Sequence, residues 1–228
     1  LTGLSTVAEQ VGLVDLAIRN YRQSEKILAQ LSMVEPSNLD FRFEYLMRTV
    51  WIARLEAESG GLNEALERMA LSKEPLNRVL EMESHENVRR FVYWIEYLLD
   101  WSELSWMAGQ PDAAAALLTE AVTDLEKLMA RENGWDALAE QILLARFLYW
   151  QQRGADLFDT ARFSAIRYDE NGNYLSCHAQ SNLVRQAILT GDGETASELT
   201  QHLLGRGYFE PGFIRVCKQY DLCQDGAQ

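Results

Sequence analysis

Cysteine, histidine and proline are all scarce in this sequence, and each shortage excludes a class of protein. Among 228 residues there are three Cys, three His and four Pro. Three cysteines cannot build the multiple-disulfide framework of a small secreted protein, so we expect a reducing compartment, the cytoplasm. A zinc site would have to combine Cys177 and His178 with Cys217 and Cys223. This spacing is not that of a zinc motif, and we expect no metal and no cofactor.

Basic side chains are outnumbered, with 21 Lys and Arg against 34 Asp and Glu and a formal net charge of −13. Proteins bind a phosphate backbone through clustered Lys and Arg, so we expect no nucleic-acid partner. Residues 61–134 alone have a net charge of −7, which is more than half of the net negative charge of the sequence. This segment is either a solvated surface or a docking face for a basic partner. The longest uncharged stretch, residues 171–184, is polar, so we expect no membrane insertion.

Catalytic motifs are also missing from the sequence. There is no G-x-x-x-x-G-K-[ST], no G-x-S-x-G and no H-E-x-x-H. Glu96, Asp100 and Glu103 share one helical stripe, and paired carboxylates can carry out acid–base chemistry. Because no Glu-x-x-His motif accompanies them, we expect the stripe to be a solvated or arginine-paired face. A catalytic function would need titratable groups that converge in a pocket, and we expect the protein not to be an enzyme.

Apolar residues recur with the spacing of one helical face almost throughout the chain. Phe91, Trp94 and Leu98 follow one another at intervals of three and four, and Ile95 and Leu99 continue the same face. Alternation over the length of a strand is absent, and residues of high helix propensity fill these segments. The spacing therefore predicts an all-α fold.

Glycines punctuate these helical stretches at intervals of 37 to 49 residues, at Gly12, Gly60, Gly109, Gly154 and Gly191. Glycine just after a helix supplies the left-handed backbone that ends it. Helix–turn–helix units at such a period are typical of an α-solenoid, and an ordinary bundle with glycine turns is the alternative. Pro75 lies within one predicted helix and should kink or split it. Turn-forming residues at 168–174 predict a long interhelical loop.

Parts of the sequence resemble the tetratricopeptide repeat (TPR) family. The interval from Gly12 to Pro36 equals the family's separation between its Gly and its closing Pro. Trp150 and Gly154 match its W-x-x-L-G motif, with Arg153 in place of the Leu. The resemblance covers about residues 5–206. It implies a right-handed α-solenoid of about four to five antiparallel helix pairs, with residues 1–206 as the repeat domain and residues 207–228 as its C-terminal cap.

The resemblance also implies a groove, because the first helix of each pair lines the concave side in that family. The expected groove positions lie six and three residues before the punctuating glycines. Leu148 occupies one such position but is apolar, and we expect it in the core. Trp and Arg are residue types that dominate binding interfaces. The candidate groove residues are Arg54, Glu103, Trp106, Gln151 and Arg185.

The function implied by the resemblance is a non-catalytic interaction scaffold that binds a peptide or protein segment in this groove. The first residue is Leu, and the end of the sequence loosely resembles repeat regions of bacterial regulators. We therefore expect a regulatory module of a larger bacterial protein. The alternative is a small-molecule-sensing domain of a signalling protein or transcription regulator; a closed aromatic pocket would favour it over a long open groove. Self-association through exposed solenoid ends, giving a homo-oligomer, is a further expectation.

Overall fold

The structure is a computed structural model that describes residues 2–82, 88–131, 138–154 and 177–223. Within these ranges the chain forms ten α-helices and no strand, which confirms the predicted all-α class. The loop predicted at residues 168–174 lies outside them. The helices are α1 (Thr2–Gln10), α2 (Val14–Val34), α3 (Leu39–Glu58), α4 (Leu62–Met82), α5 (Val88–Met107), α6 (Pro111–Arg131), α7 (Ala139–Arg153), α8 (Cys177–Thr190), α9 (Gly193–Gly205) and α10 (Pro211–Gln219).

The predicted glycine breaks are confirmed, because all five glycines follow a helix end and have positive φ, between 64° and 99°. At Gly109 the backbone N–H donates to Trp106 O at 3.0 Å, and the next N–H, of Gln110, donates to Ser105 O at 2.9 Å. These bonds satisfy carbonyls that the end of α5 would otherwise leave without partners. At Gly12, Gly60, Gly109 and Gly191 the break lets the chain turn back, so that the next helix packs against the one before it.

Helices that follow one another in the chain pack together, as α2 does with α3, α3 with α4, α5 with α6, and α8 with α9. Contacts also connect α3 with α5, α5 with α7, and α7 with α8. We call these four helices, α3, α5, α7 and α8, the central row. One cluster of buried residues runs through much of the molecule and includes Met47, Leu98, Leu125 and Phe147. None of the described helices combines the length and the apolar character needed to cross a membrane.

The expected split at Pro75 is wrong, because α4 is a single helix from Leu62 to Met82. Pro75 and Leu71, the residue four positions earlier, both lie on the exposed side of the helix. The Leu71 carbonyl, which would accept a helical hydrogen bond from residue 75, therefore stands on the solvent side. A proline costs least in such a position, since water can take the place of the missing donor.

The C-terminal segment packs on two parts of the molecule, and its role as a cap stays a prediction. Tyr208 and Phe213 cluster with Val184 of α8 and Leu203 of α9. From there α10 continues inward and contacts α3. Its Val216 belongs to the main buried cluster. The end of the chain therefore lies against the central row.

The two ends of the described chain meet. The Phe209 backbone N–H donates to Gln10 O at 2.7 Å. Gly12 permits this approach, since a Cβ on it would lie 3.1 Å from Phe209 Cβ. Cys217 of α10 and Cys223, which follows that helix, form a disulfide with a Cα–Cα distance of 5.3 Å. The compartment stays a prediction.

Candidate functional site

A chamber lies between the central row, α1 and the C-terminal segment. It consists of a larger cavity of about 260 Å³ and a smaller one of about 30 Å³. The two cavities share lining residues from α3, α5, α8 and the segment before α10: Arg54, Glu96, His178 and Glu210. The smaller cavity has room for about one water molecule. The larger one is close to the lower end of the size range of small-molecule sites.

Helix α5 presents the carboxylate stripe of Glu96, Asp100 and Glu103 to this chamber. The three positions share a face because they are separated by four and three residues. Glu103 is paired with arginine, since it lies 3.2 Å from Arg215 Nη2 and 3.6 Å from Arg185 Nη1. The expectation of a solvated or arginine-paired stripe is wrong for Asp100, because packing buries this side chain without a salt bridge in the described structure. Asp100 is 5% exposed, and its Oδ2 is buried and accepts no hydrogen bond in the described structure.

Arginines from three helices, α3, α8 and α10, line the chamber and form salt bridges with its carboxylates. Arg215 of α10 donates through Nε to Glu58 Oε1 at 3.1 Å while its Nη2 lies beside Glu103. Arg54 of α3 donates to Glu9 of α1. These pairs join the first helix, the central row and the end of the chain. Breaking a buried pair leaves the remaining charge without a partner, which is strongly destabilising.

The chamber is lined by six carboxylates and three guanidinium groups, so it has a formal excess of three negative charges. Burial, and then repulsion by Asp100, raises the pKa of Glu96 to about 8. Burial also raises the pKa of Asp100 to about 6, although Arg54 opposes this shift. Two buried carboxylates one turn apart repel each other, so the pair retains a proton near neutral pH.

Specific partners hold two other chamber acids, Glu103 and Glu210, in the ionised form. Although burial opposes ionisation, Arg215 and Arg185 lower the pKa of Glu103. Burial likewise opposes ionisation of Glu210, but Arg54, His178 and Arg185 lower its pKa. The Glu210 carboxylate also accepts the backbone N–H groups of Gly212 at 3.1 Å and Phe213 at 2.7 Å, which caps α10. Burial lowers the pKa of His178, so this ring is held towards its neutral form.

Aromatic rings form a second wall of the larger cavity. The centroids of the Tyr21 and Trp51 rings lie 5.6 Å apart. The centroids of the Trp51 and Tyr93 rings lie 6.1 Å apart, and these two rings pack edge to face. The guanidinium of Arg48 lies 4.4 Å from the Trp51 ring centroid and covers that ring. The Tyr21 hydroxyl donates to Glu9 Oε2 at 3.2 Å. The cavity therefore has an aromatic side and a carboxylate side.

Three of the five predicted groove residues line the chamber, and two do not. Arg54, Glu103 and Arg185, which come from three different helices, all line the smaller cavity. Trp106 and Gln151 are half-buried and belong to neither cavity. Leu148 is fully buried in the main cluster, as expected.

Several chamber residues had no sequence signal that could have identified them. Glu9 comes from the first helix, and Glu210 and Arg215 come from the C-terminal segment; they reach the site because the ends of the chain meet. His178 stands beside Cys177 in the candidate zinc set, but it lines the chamber. That set is not assembled, because Cys217 and Cys223 are bonded to each other. The described residues contain no cluster of three or more His, Cys, Asp or Glu side chains arranged to hold a metal ion.

Comparison with known proteins returns no match, whether the chain is compared with protein-family models, with curated proteins or with solved structures. The fold and the chamber are therefore interpreted on their own geometry.

Proposed function

We propose that the chain is a non-catalytic binding module built as a divergent, TPR-like α-solenoid, with the central row on its concave side. The glycine-punctuated helix pairs and the contacts that run along α3, α5, α7 and α8 support this arrangement. As the sequence implied, we place the module in a larger bacterial signalling or regulatory protein.

We propose further that the module binds a small molecule in the chamber. The observation that carries this proposal is a cavity of about 260 Å³ that has an aromatic wall facing convergent charged groups. A largely preformed concave site with a few convergent polar groups is the usual form of a small-ligand site. The C-terminal segment lies against the central row and lines part of the chamber, so it covers one side of this space.

A catalytic function would also need titratable groups that converge in a pocket, and Glu96 and Asp100 are such groups. We nevertheless favour binding, because Glu58, Glu103 and Glu210 are each engaged by arginines or by backbone N–H groups. Such mutual pairing holds a site rigid and fixes its charge, which a binding site requires.

The proposal can be tested with three probes that share one phenyl ring: benzylamine, benzyl alcohol and benzoate. Gln10 lines the larger cavity, so Gln10→Trp should fill part of it. Gln30→Trp makes the same change at an exposed position of α2 and serves as the control. We expect at least one probe to bind the wild type and Gln30→Trp by calorimetry, and to bind Gln10→Trp more weakly. If no probe binds the wild type, or if Gln10→Trp binds as well as the wild type does, the proposed chamber function is wrong.

The second candidate is the peptide-binding scaffold, and Arg215 favours it. This side chain belongs to a helix that lies on the central row, and it reaches two carboxylates, Glu58 and Glu103. A helical peptide with a suitably placed arginine would find the same partners if the internal arginine were removed. A peptide of residues 208–220 should therefore bind the Arg215→Ala protein and not the wild type. Absence of binding to both proteins would contradict this candidate.

A further inference from the structure

The chamber carboxylates differ in whether they have a partner. Glu9 is paired with Arg54, and Glu58 and Glu103 are paired with Arg215. Glu210 caps α10 through two backbone N–H groups. This accounts for four of the six carboxylates, and the remaining two are Glu96 and Asp100.

Glu96 and Asp100 form no salt bridge within the described residues, although they stand one turn apart on α5. Arg185 and Arg215 are directed at Glu103, and Arg54 binds Glu9, so all three arginines of the chamber already have acidic partners. The Asp100 Oδ2 atom is buried without a hydrogen-bond donor. A buried carboxylate oxygen without a donor is costly unless a cation or a proton compensates it.

The space beside Glu96 has room for more than water, and Asp100 lines the smaller cavity that adjoins it. Glu96 is half-buried because it faces the larger cavity, which it shares with the rings of Tyr21, Trp51 and Tyr93. Aromatic faces attract cations through the ring quadrupole, and this attraction is strongest where water is excluded. The unpaired carboxylates and the aromatic wall therefore favour the same kind of ligand.

We propose that the chamber binds a small organic cation, an amine whose ammonium group lies beside Glu96 and Asp100 and whose apolar body contacts the rings of Tyr21, Trp51 and Tyr93. This inference rests on the proposed small-molecule function and names its ligand class. An organic cation matches the site better than a bare metal ion does, because the described residues contain no metal-binding cluster and the rings of Tyr21, Trp51 and Tyr93 line the larger cavity.

Binding should depend on pH, because an ammonium group and a proton compete for the same two carboxylates. The pair holds a proton near neutral pH, and loss of that proton strengthens the attraction for a cation. Affinity for an amine should therefore rise between pH 6 and pH 8. The titratable and charged groups that face the pair from the surrounding elements are Glu9, Tyr21, Arg54, Glu58, Tyr93, Glu103, Glu140, His178, Arg185, Tyr208, Glu210 and Arg215.

The test compares benzylamine with its neutral and anionic analogues, benzyl alcohol and benzoate, by calorimetry at pH 8 on the whole chain. We expect wild type to bind benzylamine in preference to both analogues. Glu96→Gln keeps the size of the side chain but removes its charge, and it should weaken benzylamine binding by about tenfold, as loss of one charge-assisted contact does. Glu126→Gln makes the same change on the exposed surface of α6 and should leave the affinity unchanged.

The cation proposal fails if benzyl alcohol or benzoate binds as tightly as benzylamine. It also fails if Glu96→Gln, with an unchanged circular dichroism spectrum, binds benzylamine as wild type does, or if Ca²⁺ or Zn²⁺ competes with benzylamine at equal concentration. The probe comparison in wild type does not depend on any variant folding. Binding of benzoate or benzyl alcohol that is lost in Gln10→Trp would refute the cation class and leave the chamber function standing. Binding of none of the three would refute both.

Discussion

Arg215 shows how much a single residue contributes to this molecule. It joins α10 to α3 and α5 by contacting Glu58 at 3.1 Å and Glu103 at 3.2 Å. The neighbouring acids raise the pKa of Arg215, although burial opposes this, so the guanidinium stays charged. Removing it would leave Glu58 without its arginine and Glu103 with Arg185 alone, and both carboxylates are mostly buried.

Arg215→Ala should lower the free energy of unfolding by about 2 kcal/mol, since it breaks a largely buried charge network whose arginine is partly exposed. Lys218→Ala, at an exposed position on the same helix, should change stability by less than about 0.5 kcal/mol. Chemical denaturation of both variants measures the difference. Equal effects of the two substitutions would show that the network does not hold α10 in place.

The Glu96 carboxyl group should make stability depend on pH. Its pKa is raised in the folded state, so the folded chain binds more protons than the unfolded chain between the ordinary glutamate pKa and about 8. This contribution is complete at low pH and is lost as the pH rises through 8, with a slope of at most about 1.4 kcal/mol per pH unit. Denaturation at pH 6 and pH 8 should show that wild type loses stability relative to Glu96→Gln. A constant difference across that range would contradict the raised pKa.

At the scale of helices, the glycine turns decide where each element ends. Gly109 has φ of 69°, and a Cβ there would meet no atom within 4 Å, so only backbone strain opposes a larger residue. Gly205 also has open space around it, but it is the last residue of α9 and does not have positive φ. The two positions therefore separate the effect of the turn from the effect of the side chain.

Gly109→Ala should destabilise the protein by about 1 kcal/mol, since an L-residue is strained in the left-handed region. Gly205→Ala should be neutral or stabilising by up to about 1 kcal/mol, because alanine restricts the unfolded chain and favours helix. Thermal or chemical unfolding of the pair checks both signs. A stabilising Gly109→Ala would be incompatible with the left-handed turn.

The helices and their breaks could be predicted from sequence because they depend on local features. Period-3.6 spacing and the glycine positions both act within a few residues, and the structure agrees with them at Gly60 and Gly109. Pro75 was misjudged because its cost depends on which side of α4 faces solvent, and that is set by packing. Arg54, Glu103 and Arg185, which the assumed repeat spacing selected as groove positions, line the smaller cavity, and their role in binding stays a prediction.

At the scale of the whole molecule, closure of the chain on itself creates the chamber. Glu9 from α1 and Glu210 from the C-terminal segment line the same cavity, and the backbone of Phe209 is bonded to that of Gln10. Contacts between residues so far apart leave no local signal in the sequence. This is why Arg215 and Glu9 were not found in advance.

Gly12→Ala should test this closure. It introduces the same backbone strain as Gly109→Ala, since φ is 76°, and it also places a Cβ 3.1 Å from Phe209 Cβ and 3.2 Å from Phe209 O. We expect a loss of stability greater than that of Gly109→Ala by about 1 kcal/mol or more, as for overpacked contacts. We also expect weaker benzylamine binding. Equal stability losses in the two alanine variants would mean that the ends do not meet at Gly12.

The central claim is that Glu96 and Asp100 form the recognition point for a cation in the chamber. The most direct measurement is calorimetry of benzylamine binding at pH 7 in two buffers that differ in their heat of ionisation, which counts the protons released on binding. Since the pair holds a proton that an ammonium group should displace, wild type and Glu126→Gln should release about one proton per bound amine, and Glu96→Gln should release fewer. Binding without proton release in wild type, or the same release in Glu96→Gln, would contradict the claim.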